Sequence, residues 1–132
     1  MLMGLKDKQT TKNKNFIQSF IHAMQGIFSL VTTERNFRKH LLFGMLAVVL
    51  GLILNLNLGQ WLWIILAIFS VISSEALNTI VESVVDLIVG PKYDDLAKKA
   101  KDVAAGGVLL SAAFAFIIGV IIFVPELVAL FQ

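Results

Sequence analysis

One stretch of this chain carries acidic and amide side chains at helical spacing within an otherwise apolar run. The four residues are Glu75, Asn78, Glu82 and Asp86. At roughly 100° per residue around an α-helix, they fall on one stripe about 80° wide. Carboxylates at such a spacing can hold a divalent cation, and a carboxylate shielded from water can serve as a general base. We therefore take this acidic stripe as the candidate chemical centre.

Exposing the acidic stripe to lipid would be costly. Each carboxylate at mid-membrane costs about 2.5–3.5 kcal/mol, so three of them cost roughly 8–10 kcal/mol. On the same scale, the apolar residues of 61–72 favour membrane insertion by only about 5 kcal/mol. The stripe must therefore reach the headgroups and water, or be covered by other helices, cations and ligands.

The composition indicates an integral membrane protein with a single domain over residues 1–132. Hydrophobic residues make up 58% of the chain, and the mean hydropathy of +0.84 is far above that of soluble domains. The chain has no cysteine, which excludes disulfides and thiolate metal sites. It also has no P-loop, dinucleotide-binding or His-Glu-x-x-His motif. With a net charge of only +2, we expect no nucleic-acid partner.

The periodicity predicts an all-α fold with three transmembrane helices. The segments are a basic tail at 1–15, an amphipathic surface helix at 16–31, and transmembrane helices at 41–58, 61–89 and 103–124. Gly90 and Pro91 are expected to stop the second span, residues 92–102 to form a polar loop, and Pro125 to close the third span. The second span is longer than the ~30 Å hydrocarbon core, so its last turns should approach water.

The charge distribution predicts the orientation of the chain in a cell membrane. All 11 Lys and Arg residues lie in the tail, at 35–39 or at 92–101. The positive-inside rule then places the amino terminus in the cytoplasm and the carboxyl terminus outside. Glu34, Glu82 and the lysine-rich segment consequently meet on the cytoplasmic side.

Acidic residues from separate segments, together with a nearby lysine, are suited to binding a phosphate group that carries Mg²⁺. Glu34, Glu82 and Asp102 could supply oxygen ligands, and Lys101 could neutralise phosphate charge. Glu75 lies about 10 Å deeper than Glu82 along the helix. There it could accept a proton from an alcohol whose body stays in the bilayer, which implies phosphorylation of a lipid alcohol. An ion or proton pathway through a small oligomer fits the same stripe, and so remains an alternative.

Two motifs carry a resemblance to a known family. Glu75-Ala-Leu-Asn78-Thr-Ile-Val-Glu82-Ser-Val-Val-Asp86 resembles the Glu-x-x-Asn-(Ser/Thr)-x-x-Glu-x-x-x-Asp signature of the prokaryotic diacylglycerol kinases. Residues 100–110, Ala-Lys-Asp-Val-Ala-Ala-Gly-Gly-Val-Leu-Leu, resemble the second signature of that family. The resemblance implies a homotrimeric three-span kinase with a surface amino-terminal helix. It also implies active sites shared between neighbouring subunits, one of which would cover the acidic stripe.

The resemblance assigns a role to each matching residue. It implies that Glu75 contacts the lipid alcohol as catalytic base, and that Glu34 and Glu82 hold the Mg²⁺ that bridges the phosphates of ATP. The implied nucleotide-binding residues are Glu34, Asn78, Glu82, Tyr93, Lys101 and Asp102.

The segment before the first span narrows the expected substrate. Glu34-Arg35-Asn36 followed by His40 is similar to the Gram-positive branch of the family, which is associated with undecaprenol kinase activity. We therefore predict undecaprenol as the substrate and undecaprenyl phosphate as the product, with diacylglycerol as the alternative. Three positions depart from the family pattern: an early arginine has no match near Asn15, where Lys14 is the available substitute, His22 replaces a tyrosine, and Asp94 follows Tyr93.

Overall fold

The computed structural model describes residues 12–13 and 15–132, so most of the predicted basic tail at 1–15 lies outside it. The described residues form four α-helices, which are α1 (Phe16–Thr33), α2 (Arg35–Ile53), α3 (Leu58–Val89) and α4 (Asp95–Ala129). Helices α2, α3 and α4 are long and apolar enough to cross a membrane. This confirms the predicted all-helical architecture with three candidate spans.

Side-chain caps set the ends of the two longest helices. At the start of α3, the Asn57 side chain accepts a hydrogen bond from the Gln60 backbone N–H, and the Gln60 side chain accepts one from the Asn57 N–H. At the start of α4, the Asp94 carboxylate accepts a hydrogen bond from the Ala97 N–H at 2.9 Å. Gly90 ends α3 at a φ of 59°, which glycine adopts without steric cost.

Helix α4 differs from the predicted third span at both ends. It begins at Asp95, so most of the expected polar loop is helical, because Asp94 caps it and Lys98 pairs with Asp102 one turn later. It also continues through Pro125 to Ala129. A proline removes one backbone hydrogen bond, and the helix on either side of it can retain its own.

Helices α3 and α4 form an antiparallel pair that positions the acidic stripe. Three polar contacts run along the pair in a constant register, one near each end and one near the middle. They are Gln60–Glu126 at 2.7 Å, Ser74–Ser111 at 2.6 Å and Asp86–Lys101 at 2.5 Å. This register brings the start of α4 beside the last turns of α3, where the stripe ends.

The apolar core lies towards the end of the bundle that holds the α2–α3 turn. Its buried members are Leu54, Leu56, Ile64, Ala67, Ile118 and Ile122. A Cβ atom built on Gly51 would come within 2.8 Å of the Trp61 ring, so glycine is what allows α2 to approach the first turn of α3 there. The core therefore anchors α3 at the end remote from its acidic residues.

A single residue, Glu34, separates α1 from α2. It has an extended backbone conformation, and its N–H still bonds the Leu30 carbonyl of α1. The Arg38 guanidinium bonds the carbonyls of Val31 and Thr32, at 3.1 and 2.9 Å. The position of Arg38 before an apolar span suggests a headgroup anchor. In the structure it also satisfies backbone acceptors at the end of α1, which fixes the corner that presents Glu34.

Replacing Arg38 with alanine should loosen this corner. Loss of two partly exposed hydrogen bonds is expected to cost about 1 kcal/mol locally. Amide hydrogen exchange over residues 28–34 should then speed up by about fivefold. Arg35→Ala is the matched control, because Arg35 lies at the same corner and its side chain makes no hydrogen bond or ion pair with any described residue. Equal exchange rates in the two variants would contradict the assigned role.

Candidate active site

The acidic stripe is divided between a buried half and an exposed half. Glu75 is 4% exposed and Asn78 is 8% exposed, whereas Glu82 and Asp86 are exposed. The expectation that a neighbouring subunit must cover the stripe therefore needs correction for Glu75 and Asn78, because a single chain already buries both. Only the end of the stripe towards Gly90 remains open to nucleotide, cation or a partner.

Asn78 links the two halves of the stripe. Its Nδ2 donates a hydrogen bond to Glu82 Oε1 at 3.1 Å, which orients the carboxylate of the exposed half. Its Oδ1 is buried and accepts no hydrogen bond from any residue that the structure describes. A buried amide oxygen without a partner is rare in proteins, because its desolvation is not compensated. Such an oxygen is available to a cation, to water or to a substrate hydroxyl.

Glu34 and Glu82 belong to the surroundings of Glu75. Both lie close enough to Glu75 for their charges to act on its carboxylate, although Glu34 comes from the α1–α2 corner and Glu82 from α3. Acids from two places in the chain therefore act on the middle of α3, where Glu75 lies.

The donor chemistry of this cluster fits Mg²⁺ supplied together with a nucleotide. Within residues 12–13 and 15–132, no three His, Asp or Glu side chains come close enough to hold a metal by themselves. Mg²⁺, however, usually takes one or two carboxylates and completes its coordination with phosphates and water. Glu34 and Glu82 could supply the carboxylates, and the unpartnered Oδ1 of Asn78 offers another oxygen nearby.

The remaining predicted site residues lie around the start of α4. Lys101 Nζ is 2.5 Å from Asp86 Oδ1, and Asp102 pairs with Lys98 of its own helix. Because Asp86 lies one helical turn beyond Glu82, this pair joins the α4 residues to the open end of the stripe. The structure therefore brings Lys101 beside the acidic stripe, while Asp102 is engaged on the surface of α4.

Tyr93 stands apart from the other predicted site residues. It lies between α3 and α4, is 77% exposed, and donates a hydrogen bond to Asp95 Oδ1 at 2.9 Å. That hydrogen bond to a carboxylate raises the pKa of the Tyr93 phenol above its ordinary value. The single O–H of the phenol is thus directed at Asp95, and donating it to a ligand requires that hydrogen bond to break.

Sequence reasoning did not identify His40 as the neighbour of Glu75. His40 Nε2 of α2 lies 3.8 Å from Glu75 Oε2. Within the sequence, His40 belongs to a dense charged segment before an apolar span, which looks like a set of headgroup anchors. The available signal was that His40 lies six residues after Glu34, on the helix that Glu34 precedes. The contact between His40 and Glu75 depends on the packing of α2 against α3, which the sequence does not show.

A match to a family model identifies the protein family of this chain. The model of prokaryotic diacylglycerol kinases matches residues 21–123, most of the chain, and that range includes all the predicted site residues. This chain belongs to the prokaryotic diacylglycerol kinase family. It is therefore a multi-pass membrane lipid kinase that uses ATP, and the ion-pathway alternative receives no support.

Three relatives show how far the similarity extends. An undecaprenol kinase from Bacillus subtilis is 42% identical over 125 residues, covering 95% of this chain and 100% of the relative. A diacylglycerol kinase from Synechocystis is 41% identical, covering 88% of this chain and 66% of the relative. The diacylglycerol kinase of Escherichia coli K12 is 30% identical, covering 82% of this chain and 88% of the relative. Members named for both lipids are thus similar to this chain.

Proposed function

We propose that this kinase phosphorylates undecaprenol to undecaprenyl phosphate at the cytoplasmic face of the membrane. The observation that carries the kinase chemistry is the burial of Glu75 on a membrane-length helix whose next acidic residue, Glu82, is exposed. This arrangement suits an acceptor held in the bilayer and a nucleotide held in water. The relative that supports undecaprenol is the Bacillus subtilis enzyme, which this chain matches over its full length.

In the proposed reaction, Glu75 acts as general base. Its carboxylate accepts the hydroxyl proton of the lipid, and the lipid oxygen attacks the γ-phosphorus of ATP. A new O–P bond forms while the bond from that phosphorus to the leaving ADP oxygen breaks. The burial of Glu75 keeps bulk water away from this position, so the lipid hydroxyl is favoured over water as the acceptor.

The other predicted residues would hold the nucleotide. Glu34 and Glu82 would bind Mg²⁺, with Asn78 orienting Glu82 through its amide. Bound there, Mg²⁺ would neutralise charge on the phosphates of ATP. Lys101, placed beside the stripe by Asp86, would add a second positive charge. Asp102 and Tyr93 would complete the nucleotide contacts from the exposed start of α4 and the segment before it.

The substrate assay distinguishes the two lipids. Purified protein in detergent is given Mg-ATP with either undecaprenol or diacylglycerol, at matched mole fractions, and the phosphorylated lipid is quantified. We expect kcat/KM to favour undecaprenol by at least about tenfold, which corresponds to about 1.4 kcal/mol of transition-state binding. A preference for diacylglycerol would reverse the substrate assignment and leave the kinase chemistry intact.

We also propose that the chain lies with its amino terminus in the cytoplasm and its carboxyl terminus outside, and that α1 rests on the membrane surface. Lys and Arg residues cluster around the start of α2 and from Lys92 through the first turns of α4, which supports the orientation. Exposed apolar residues such as Phe16 and Phe20 support the placement of α1. Because the chain has no cysteine, single cysteines introduced at 99 and 132 can be labelled from either side. Labelling of position 132 from the cytoplasm would refute the orientation.

We propose, finally, that the kinase works as a homotrimer with active sites shared between neighbouring subunits. Glu82 and Asp86 are left exposed by a single chain, so a neighbour could complete the open end of the stripe. Native mass spectrometry of the active protein in detergent tests this state directly. A fully active monomer would rule it out.

A further inference from the structure

Because Glu75 is buried, the proposed reaction needs a route by which the proton on Glu75 can leave. If Glu75 takes one proton from the lipid in each turnover, that proton must leave before the next lipid can be activated. The Glu75 side chain is only 5% exposed, so its carboxylate has little direct access to water. A second group that can carry the proton outward would meet the requirement.

His40 is placed to do this. Its Nε2 lies 3.8 Å from Glu75 Oε2, and among residues 12–13 and 15–132 no other basic side chain lies within 4 Å of the Glu75 carboxylate. The His40 side chain is 26% exposed, about five times the exposed fraction of Glu75, so one end of the ring faces the carboxylate while part of it reaches the surface. The 3.8 Å gap exceeds a hydrogen bond, and a small rotation of either side chain closes it.

The other titratable neighbours are less suitable as carriers. Glu34 and Glu82 act on Glu75 through their charges, but neither is hydrogen-bonded to its carboxylate. Glu82 Oε1 already accepts the Asn78 amide. Both acids are also proposed to hold Mg²⁺, which would compete with a proton for the same oxygens.

We infer that His40 relays the proton from Glu75 to water after each phosphoryl transfer. His40 Nε2 accepts the proton, which leaves Glu75 as a carboxylate and His40 as an imidazolium. The imidazolium then loses one proton to water or buffer and returns to neutral imidazole. No bond other than those to the proton changes, and no further reactant is needed. This inference rests on the proposed role of Glu75 as base.

Chemical rescue tests the relay in the full-length enzyme. In His40→Ala, kcat should fall by at least about tenfold, with KM for ATP and for lipid each within about twofold of wild type. Added imidazole, at a pH where part of it is neutral, should restore much of the lost kcat in proportion to its concentration. His40→Gln keeps the bulk and hydrogen-bonding capacity of the side chain but cannot carry a proton, so it should be as slow as His40→Ala.

Two controls separate a proton relay by His40 from a purely structural role of that residue. Lys39→Ala, an exposed change at the neighbouring position of α2, should keep wild-type kcat with no response to imidazole. Glu75→Gln should be inactive and not rescued, because imidazole replaces the carrier and not the base. Wild-type activity in His40→Gln, or no response of His40→Ala to imidazole, would overturn the relay. An active Glu75→Gln would instead overturn the proposed function.

Discussion

Replacing Glu75 with glutamine should lower lipid phosphorylation by about 10²–10⁴-fold, the range expected when a general base is removed. Glutamine has nearly the same shape as glutamate and cannot accept the proton of the lipid alcohol. The loss should appear in kcat, while KM for Mg-ATP stays close to that of wild type, because Glu75 is proposed to contact the lipid and not the nucleotide. Initial rates of radiolabelled lipid phosphate formation measure both constants.

The same substitution should not harm the fold. Glu75 is 4% exposed, and a neutral amide costs less to bury than a carboxylate, so the thermal midpoint in detergent should be equal to or higher than that of wild type. Glu126→Gln is the matched control, because it makes the same chemical change where the side chain accepts a hydrogen bond from Gln60 and an amide oxygen can still accept it. Near-normal activity in Glu75→Gln would reject Glu75 as the base.

Replacing Glu82 with glutamine should produce a different kinetic defect. We expect kcat/KM for ATP to fall by about 100-fold, because one charged ligand of the metal–phosphate group is lost. The Mg²⁺ concentration at half-maximal rate should rise, whereas KM for the lipid should not change. A titration of the initial rate with Mg²⁺ at fixed ATP measures this shift.

The Glu82→Gln substitution should preserve the local structure around residue 82. The Asn78 amide donates to Glu82 Oε1 at 3.1 Å, and the side-chain oxygen of a glutamine can accept the same hydrogen bond. Glu126→Gln again serves as the control and should leave the Mg²⁺ dependence unchanged. If Glu82→Gln lost activity with an unaltered Mg²⁺ dependence, Glu82 would be a structural residue and not a metal ligand.

Taken together, the two variants separate the proposed roles along the stripe. The buried end should govern kcat alone, and the exposed end should govern the response to nucleotide and Mg²⁺. This division follows from burial, because the side chain shielded from water can serve the lipid while the exposed one meets a nucleotide from the aqueous side. A similar defect in both variants would argue against two functional halves.

Much of the fold could be read from local sequence. Long apolar runs must form helices in a bilayer, because only a helix satisfies its own backbone there, and three such runs are present. The ends of helices were less predictable. Pro125 lies inside α4, and the charged residues from Asp95 onward are helical, because capping at Asp94 and pairing along the helix outweigh the local signals for a loop.

Helical spacing places Glu75, Asn78 and Glu82 on one face whatever surrounds them, so local sequence was enough to identify the acidic stripe. Which of these residues are buried, and what they contact, could not be predicted in the same way. Burial depends on how α2 and α4 pack against α3, and that packing sets His40 beside Glu75 and Lys101 beside Asp86. Contacts between residues distant in the chain follow from the register of whole helices, which local spacing does not encode.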